Sequence, residues 1–187
     1  MAVMIEPAEI AGVVIAVPEV HDDDRGSFVE TWRREWFVEP VDMVQQNRAD
    51  RRAGSVVGLH FHLRQSDYWY VTVGLARVVL HDLRVGSPTE GSTLALDLGG
   101  QPGTVHDHRG VLIPPGVAHG FAAITDMTIT YLVDRTYDRA DELSLAWDDP
   151  EVAADWGVVD PVLSERDRLA PRRGELLVEQ RPRWMAV

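Results

Sequence analysis

Short β-type runs, each followed by turn residues, dominate this chain. The breaks between them are rich in Gly, Pro, Asp and Ser, and no long segment has a convincing helical period. Many short strands at this spacing predict an all-β sandwich, jelly roll or barrel. The predicted strands span residues 12–17, 42–46, 55–62, 68–73, 76–83, 92–98, 111–113 and 127–133, and short helical turns are expected at 33–37, 149–155 and 164–169.

Length and composition exclude several classes of protein. The chain has 187 residues, enough for one domain with a full core and short for two. A net charge of −12 argues against binding to nucleic acids or to anionic membranes. The absence of cysteine rules out disulfides, thiolate catalysis and cysteine-based zinc sites, and fits a reducing compartment. The N-terminus does not resemble a signal peptide and no apolar run approaches the length of a membrane span, so we expect a cytoplasmic protein.

The distribution of histidine is the main chemical signal. His60 and His62 lie two apart in one predicted strand and therefore point to the same face. His119 follows a Pro-Gly turn that leads into a strand. Tyr131 shares the inward face of its strand with apolar residues. The remaining histidines carry weaker signals: His21, His81, His106 and His108, of which His81 is expected to face solvent.

Six sequence motifs resemble those of the nucleotide-sugar 3,5-epimerases, the dTDP-4-dehydrorhamnose 3,5-epimerase family. They run in the family's order: Asp24-Arg25-Gly26-x-Phe28-x-Glu30, Gln46-Asn47, Gly58-Leu59-His60-Phe61, Gly86-Ser87-Pro88-Thr89-x-Gly91, Pro115-Gly116-x-Ala118-His119-Gly120-Phe121 and Leu163-Ser164-x-x-Asp167-x-x-Ala170-Pro171. The resemblance implies one cupin domain over 1–187, a jelly-roll or double-stranded β-helix barrel with a few short helices. Its barrel core is expected at about 40–137, with N-terminal strands 10–32 at a homodimer interface and segment 145–187 packing on the barrel.

The same resemblance implies an isomerase that needs no cofactor and acts on a nucleoside-diphosphate-4-keto-6-deoxy sugar. His60 matches the general base, Asp167 the carboxylate that orients it, and Tyr131 the general acid on the opposite face of the sugar. Imidazole suits the removal of a proton next to a ketone near neutral pH. The substrate-binding positions are matched by Arg25, Glu30, Gln46, Asn47 and His119, to which the pocket-lining candidates His62 and Tyr70 are added.

Three positions depart from the family pattern. Val57 stands where the family has Arg, Asp67 where it has Lys, and Val78 where that Lys has its Asp partner. In the family these cations help to stabilise the developing enolate oxygen. The departures leave open whether one carbon or two is inverted, and whether Tyr68 or Tyr70 supplies the missing donor.

Two other functions remain open at this point. His60, His62, Asp67 and His119 resemble the metal motifs of cupins and suit one divalent transition metal ion in a metal-dependent enzyme. A cupin that only binds sugar nucleotides is the third possibility. Asp67 distinguishes the two enzymes: without metal it should point away from His60 or pair with Arg64, and with metal it should converge with the three histidines.

Overall fold

The computed structural model describes residues 3–38, 41–101 and 103–185. Pro40, where the predicted barrel core begins, and the last two residues of the predicted C-terminal segment lie outside this part. The strands are β1 Val3–Pro7, β2 Val14–Pro18, β3 Val20–Asp23, β4 Gly26–Val29, β5 Gln45–Arg51, β6 Val56–Phe61, β7 Asp67–Val73, β8 Leu75–Asp82, β9 Thr93–Gly99, β10 Gly110–Ile113, β11 Val117–Ala123, β12 Met127–Val133 and β13 Leu143–Ser144. The helices are α1 Glu165–Arg168 and the 3₁₀ turns Arg34–Trp36, Arg139–Asp141, Arg173–Glu175 and Val178–Gln180.

Two antiparallel sheets form the barrel. One has the strand order β1-β2-β10-β7-β12-β5, and the other has the order β13-β6-β11-β8-β9. Strands β3 and β4 form a separate hairpin. This arrangement confirms the predicted all-β jelly-roll barrel with a few short helices. In the described part of the chain, no helix is long and apolar enough to span a membrane.

The space between the two sheets is filled by alternating side chains of their strands. On β12, Ile129 and Val133 are buried, and Tyr131 packs against the same cluster. On β8, Val78 and Leu80 point inward and are fully buried. The period of two along each strand therefore places apolar residues in the core and leaves one end of the barrel for polar side chains.

The C-terminal segment covers the outer face of the five-stranded sheet. Leu145, Val152 and Trp156 pack against outward residues of β6, β8 and β11. Beneath this layer His81 has no exposed surface. The prediction that His81 faces solvent was therefore wrong, because its face of β8 is the one that this segment covers.

A close approach of backbones aligns β6 with β11. Gly58 has a φ of +112°, and a Cβ built there would lie 2.8 Å from the Cα of Gly120. Only glycine tolerates both conditions. The register pairs His60 with His119 and Val57 with Phe121, so β6 has one more residue than β11 between these pairs and bulges there. The two histidines thus lie side by side on adjacent strands.

The helical predictions were right at two places and wrong at one. The turn predicted at 33–37 is the 3₁₀ helix Arg34–Trp36, and α1 lies within the predicted 164–169. Residues 149–155 form hydrogen-bonded turns instead, because Ala153 has a φ of +50°, outside the helical region.

Candidate active site

A cavity of 130 Å³ opens between the two sheets at one end of the barrel. A larger and shallower depression of 470 Å³ on residues 147–159 has no histidine or tyrosine in its lining. The chemically active side chains instead converge in the smaller cavity, whose walls come from both sheets. Its lining is Gln45, Asn47, Ala49, Arg51, Val57, His60, His62, Gln65, Asp67, Trp69, His119, Phe121, Tyr131, Val133, Tyr137, Asp138 and Glu142.

The predicted pair of His60 and Asp167 is present. Asp167 Oδ1 accepts a hydrogen bond from His60 Nε2 at 2.9 Å, and its side chain is 4% exposed. Ser164 caps the short helix α1 by accepting from the backbone N–H of Asp167, and its hydroxyl donates to Asp167 Oδ2 at 2.7 Å. Burial alone would raise the pKa of Asp167, but the hydrogen bonds from His60 and Ser164 outweigh it and hold this pKa below its usual value. The carboxylate therefore stays charged and fixes the imidazole.

Tyr131 comes from the opposite sheet. It lies on β12, pairs in register with Trp69 of β7, and lines the same cavity as His60. Burial, and then the negative charge of Asp67, raise the pKa of its phenol above the ordinary value of 10. The phenol is thus protonated at neutral pH and can donate a proton, which is the state that a general acid requires.

A second cluster lies beside this pair. Asp67 Oδ2 is 3.0 Å from His119 Nε2 and 3.5 Å from His62 Nε2. Burial would raise the pKa of Asp67, but its contacts with His119 and His62 place that pKa far below the usual range. Burial would lower the pKa of His62, but the contacts with Asp67 and with the Asp141 carbonyl raise it. The cluster is therefore a compact arrangement of one carboxylate and two imidazoles.

The contacts of Asp67 bear on both of the alternatives predicted for it. It does not pair with Arg64, whose side chain instead contacts Asp138 and Asp141. It converges with His62 and His119, as the metal-binding alternative predicted. His60 is not part of this group, because its Nε2 is held by Asp167.

The comparisons with known proteins identify one family. A sequence profile described as dTDP-4-dehydrorhamnose 3,5-epimerase matches residues 7–174. The chain belongs to this family. The dTDP-4-dehydrorhamnose 3,5-epimerase of Pseudomonas aeruginosa is 35% identical over 167 residues, which cover 85% of this chain and 90% of the relative. The dTDP-4-dehydrorhamnose 3-epimerase of Streptomyces niveus is 37% identical over 175 residues, covering 88% and 81%.

A solved structure of the same kind superposes on nearly the whole chain. It is NovW, a 4-keto-6-deoxy sugar epimerase from the novobiocin biosynthetic gene cluster of Streptomyces spheroides. The TM-score is 0.90 at 33% identity, and the match covers 98% of this chain and 94% of NovW. The barrel described above is thus the fold of the epimerase family.

Two of the positions assigned through the family resemblance lie away from this cavity. Arg25 is exposed on the β3–β4 hairpin and pairs with Asp23, while Glu30 pairs with Arg33. Neither residue lines the cavity that holds His60. The hairpin is a separate two-stranded sheet outside the barrel, so the assignment of these two residues as nucleotide-diphosphate contacts stays a prediction.

Two further corrections follow from strand parity. Gln46 is exposed, whereas Gln45 and Asn47 line the cavity, because neighbouring residues of a strand point to opposite faces. On β7 the same alternation directs Tyr70 outward, where its hydroxyl contacts Nδ1 of His108 at 2.7 Å. Burial raises the pKa of Tyr70 to about 12. Tyr68 also points outward and donates to the Thr31 carbonyl, so neither tyrosine is the missing donor in the cavity.

The cavity contains a cation that the sequence motifs did not reveal. The chain has no lysine, so its positive charges are all arginines. Among the described residues of the lining, Arg51 is the only arginine, and its described hydrogen bond goes to the Asp50 carbonyl at 2.9 Å. It lies on β5 of the six-stranded sheet and lines the same cavity as Val57 of the other sheet, where the family has Arg. Its shared parity with Asn47 on β5 is the signal that would have identified it.

Proposed function

We propose that this protein is an epimerase of a nucleoside-diphosphate-4-keto-6-deoxy sugar. The observation that carries the proposal is the His60–Asp167 pair on one wall of the cavity and Tyr131 on the other. A base and an acid on opposite sides of a bound sugar ring are what inversion at a carbon next to a ketone requires. Membership of the epimerase family and the names of its relatives support the same substrate class.

His60 removes the proton in this mechanism. Its Nε2–H is donated to Asp167, which leaves the lone pair on Nδ1. Nδ1 takes the proton, the C–H electron pair forms the C=C bond of an enolate, and the carbonyl pair moves to the ketone oxygen. Asp167 stabilises the imidazolium that results.

Tyr131 delivers a proton to the other face of the same carbon. The C=C pair then forms the new C–H bond, the ketone is restored, and the configuration is inverted. The phenolate recovers a proton and His60 loses one through solvent, so the reaction has no net proton change. Electrons are neither gained nor lost overall, so the reaction balances without an external oxidant or reductant.

The size of the cavity indicates which part of the substrate lies inside it. A volume of 130 Å³ is well below the roughly 300–1,000 Å³ of pockets that enclose a drug-sized ligand. We infer that the cavity receives the sugar and that the nucleotide lies outside its mouth. Arg51 is then placed to contact an anionic oxygen of the diphosphate, and Gln45 and Asn47 hydroxyl groups of the sugar.

We also propose that the protein is a homodimer. Arg25 and Glu30 match nucleotide-binding positions of the family but do not line the cavity of their own chain. In a two-fold dimer the β3–β4 hairpin of one subunit can reach the cavity of the other. Phe28 at the hairpin is 65% exposed, and β1 is a sheet edge, which are features that pairing would cover. A cytoplasmic location completes the proposal and suits the cysteine-free composition.

Deuterium incorporation tests the reaction directly. We expect the protein in D2O to exchange the hydrogen at C3, or at C3 and C5, of dTDP-4-keto-6-deoxyglucose, as followed by NMR. The number of exchanged positions measures how many carbons are inverted. Binding of the sugar nucleotide without any exchange would instead support a binding protein and refute the proposed reaction.

A further inference from the structure

Three buried side chains beside the base and acid have no role in the mechanism above. They are His62 on β6, Asp67 on β7 and His119 on β11, with exposed fractions of 7%, 3% and 5%. Their candidate ligand atoms all lie within 4.8 Å of one another. We propose that these residues bind one divalent transition metal ion through Nε2 of both imidazoles and Oδ2 of Asp67.

Each imidazole is held in the tautomer that a metal ligand needs. His119 Nδ1 is 2.9 Å from the Val117 carbonyl, and His62 Nδ1 is 2.8 Å from the Asp141 carbonyl. A carbonyl accepts but cannot donate, so both Nδ1 atoms carry hydrogen. Nε2 is the atom that faces Asp67, so without an ion it can hold a proton toward the carboxylate, and an ion would bind by taking the place of that proton. Backbone carbonyls that fix the ring in this way are typical of metal sites.

The carboxylate is oriented as well. Gln65 Nε2 donates to Asp67 Oδ1 at 2.9 Å, which leaves Oδ2 to face the two imidazoles. The same amide nitrogen is 3.2 Å from His62 Nε2, where a lone pair of the neutral ring can accept its hydrogen. A bound ion would coordinate this lone pair of His62 Nε2, and Gln65 would keep its hydrogen bond to Asp67 Oδ1.

The distances from Asp67 Oδ2 to the two imidazole nitrogens fit one shared ion. Two ligands that are each about 2.0–2.2 Å from a metal lie about 3.0 Å apart at 90° and about 3.4 Å apart at the tetrahedral angle. The contacts of Asp67 Oδ2 with His119 and His62 are 3.0 Å and 3.5 Å. Two imidazoles and one carboxylate with open positions are the ligand set of many iron, manganese and zinc enzymes.

The position of the cluster suggests what the ion does, and this part of the inference rests on the proposed epimerase function. His119 pairs in register with His60, and the three ligands line the same cavity as Tyr131. Val57 and Asp67 stand where the family has cations. An ion held here would supply positive charge for the ketone oxygen, which becomes negative when the proton is removed. The ion would thus replace the charge that those two positions have lost.

Metal binding is tested on the full chain freed of metal by a chelator. We expect calorimetry with Zn²⁺ or Co²⁺ to give one ion per chain, and Co²⁺ to show the visible absorption of a low-coordinate site. Asp67→Asn and His62→Gln should each weaken binding by more than the roughly 10–100-fold lost when a partner outside the ligand set is removed. Glu142→Gln is the matched control, because this carboxylate lines the same cavity but pairs with Arg166.

The outcomes of these experiments distinguish the metal site itself from the role of the ion in the reaction. Failure of the chain to bind either ion, or equal binding by Asp67→Asn and Glu142→Gln, would overturn the metal site, provided that circular dichroism shows both variants folded. Equal deuterium exchange by the metal-free and metal-loaded protein would overturn the role of the ion and leave the epimerase function standing. Metal binding through the three ligands with no exchange in either form would support the site and refute the proposed reaction.

Discussion

His60 gains its function from contacts made far along the chain. Asp167 is 107 positions away in sequence and reaches His60 because Ser164 starts a short helix against β6. A buried carboxylate on one ring nitrogen directs the lone pair of the other toward the cavity. The function of His60 therefore depends on hydrogen bonds that fix the orientation of its ring.

Replacing Asp167 by Asn should leave the fold intact and slow deuterium exchange by about 10²–10⁴-fold. The amide has no negative charge with which to stabilise the imidazolium that forms when His60 takes the proton. Glu165→Gln is the matched control, since Glu165 lies in the same short helix without contacting His60 in the described hydrogen bonds. Exchange at the wild-type rate in Asp167→Asn would remove this residue from the mechanism.

Arg51→Gln should raise KM for the sugar nucleotide by about 10–100-fold, because a hydrogen bond to a charged group contributes about 1.5–3 kcal/mol. The neighbouring Arg48 supplies the control, as it points outward on the same strand and pairs with Asp50. Steady-state kinetics of Arg51→Gln and Arg48→Gln would measure the difference. Equal KM values for the two variants would show that Arg51 does not contact the substrate.

At the scale of elements, strand parity explains both the successes and the errors of sequence reasoning. The positions of the strands and the shared face of His60 and His62 could be predicted from local patterns, because side chains in a strand alternate between its two faces. Gln46 was predicted to bind substrate, but the residue that shares the cavity face of Asn47 is Gln45. Tyr70 alternates with Asp67 and Trp69 and so cannot share their face. These two errors came from applying a motif without its strand geometry.

The prediction that His81 on β8 faces solvent was wrong for a different reason. The segment that covers this face lies more than sixty residues later, and the local sign of burial is that Val79 and Leu83, which share the face of His81, are apolar. In the structure Nδ1 of His81 is 2.8 Å from the Thr93 hydroxyl, which itself donates to the Val152 carbonyl. The covering segment therefore supplies a carbonyl to the hydrogen bonds around His81.

Burial, with a smaller effect of the positive charge of Arg173, lowers the pKa of His81 from 6.5 to about 4. The unfolded chain thus binds this proton more readily, so the free energy of unfolding should fall as the pH decreases from 6.5 to 4. The contribution is about 1–3 kcal/mol and is fully present above pH 6.5.

Urea unfolding at several pH values measures this contribution. His81→Asn removes the titrating group and should flatten the fall in unfolding free energy between pH 6.5 and pH 4. The control is His21→Asn, at a histidine with a 45% exposed side chain, which should keep the wild-type pH dependence. The same slope in His81→Asn as in the wild type would contradict this role of burial.

For the whole molecule, the barrel explains how distant motifs meet. Strands from both sheets bring His60, Asp67, His119 and Tyr131 to one end, although they are spread over more than seventy residues. The family motifs predicted that these residues lie close together, because the resemblance implies the fold of the family as well as its residues. They do not show what the side chains of the β3–β4 hairpin contact outside their own chain, because a single chain contains no information on a partner's position.

Mixing two inactive variants tests the proposed dimer. His60→Asn lacks the base, and a variant with Arg25→Ala and Glu30→Ala lacks the hairpin contacts. After unfolding and refolding together at equal amounts, half of the dimers are mixed and each has one complete site, so roughly a quarter of the wild-type exchange rate should return. Light scattering should show a dimer in every sample. Recovery of no activity in a dimeric mixture would refute the shared site.

The most direct measurement of the central claim is deuterium exchange into dTDP-4-keto-6-deoxyglucose by wild type, His60→Asn and Tyr131→Phe. Wild type should incorporate deuterium with inversion. His60→Asn should lose both, by about 10²–10⁴-fold. Tyr131→Phe should still exchange the hydrogen on the His60 side but form little inverted product, since the opposite face has no proton donor. Exchange and inversion that persist in both variants would contradict the account, because the paired base and acid would then not perform the reaction.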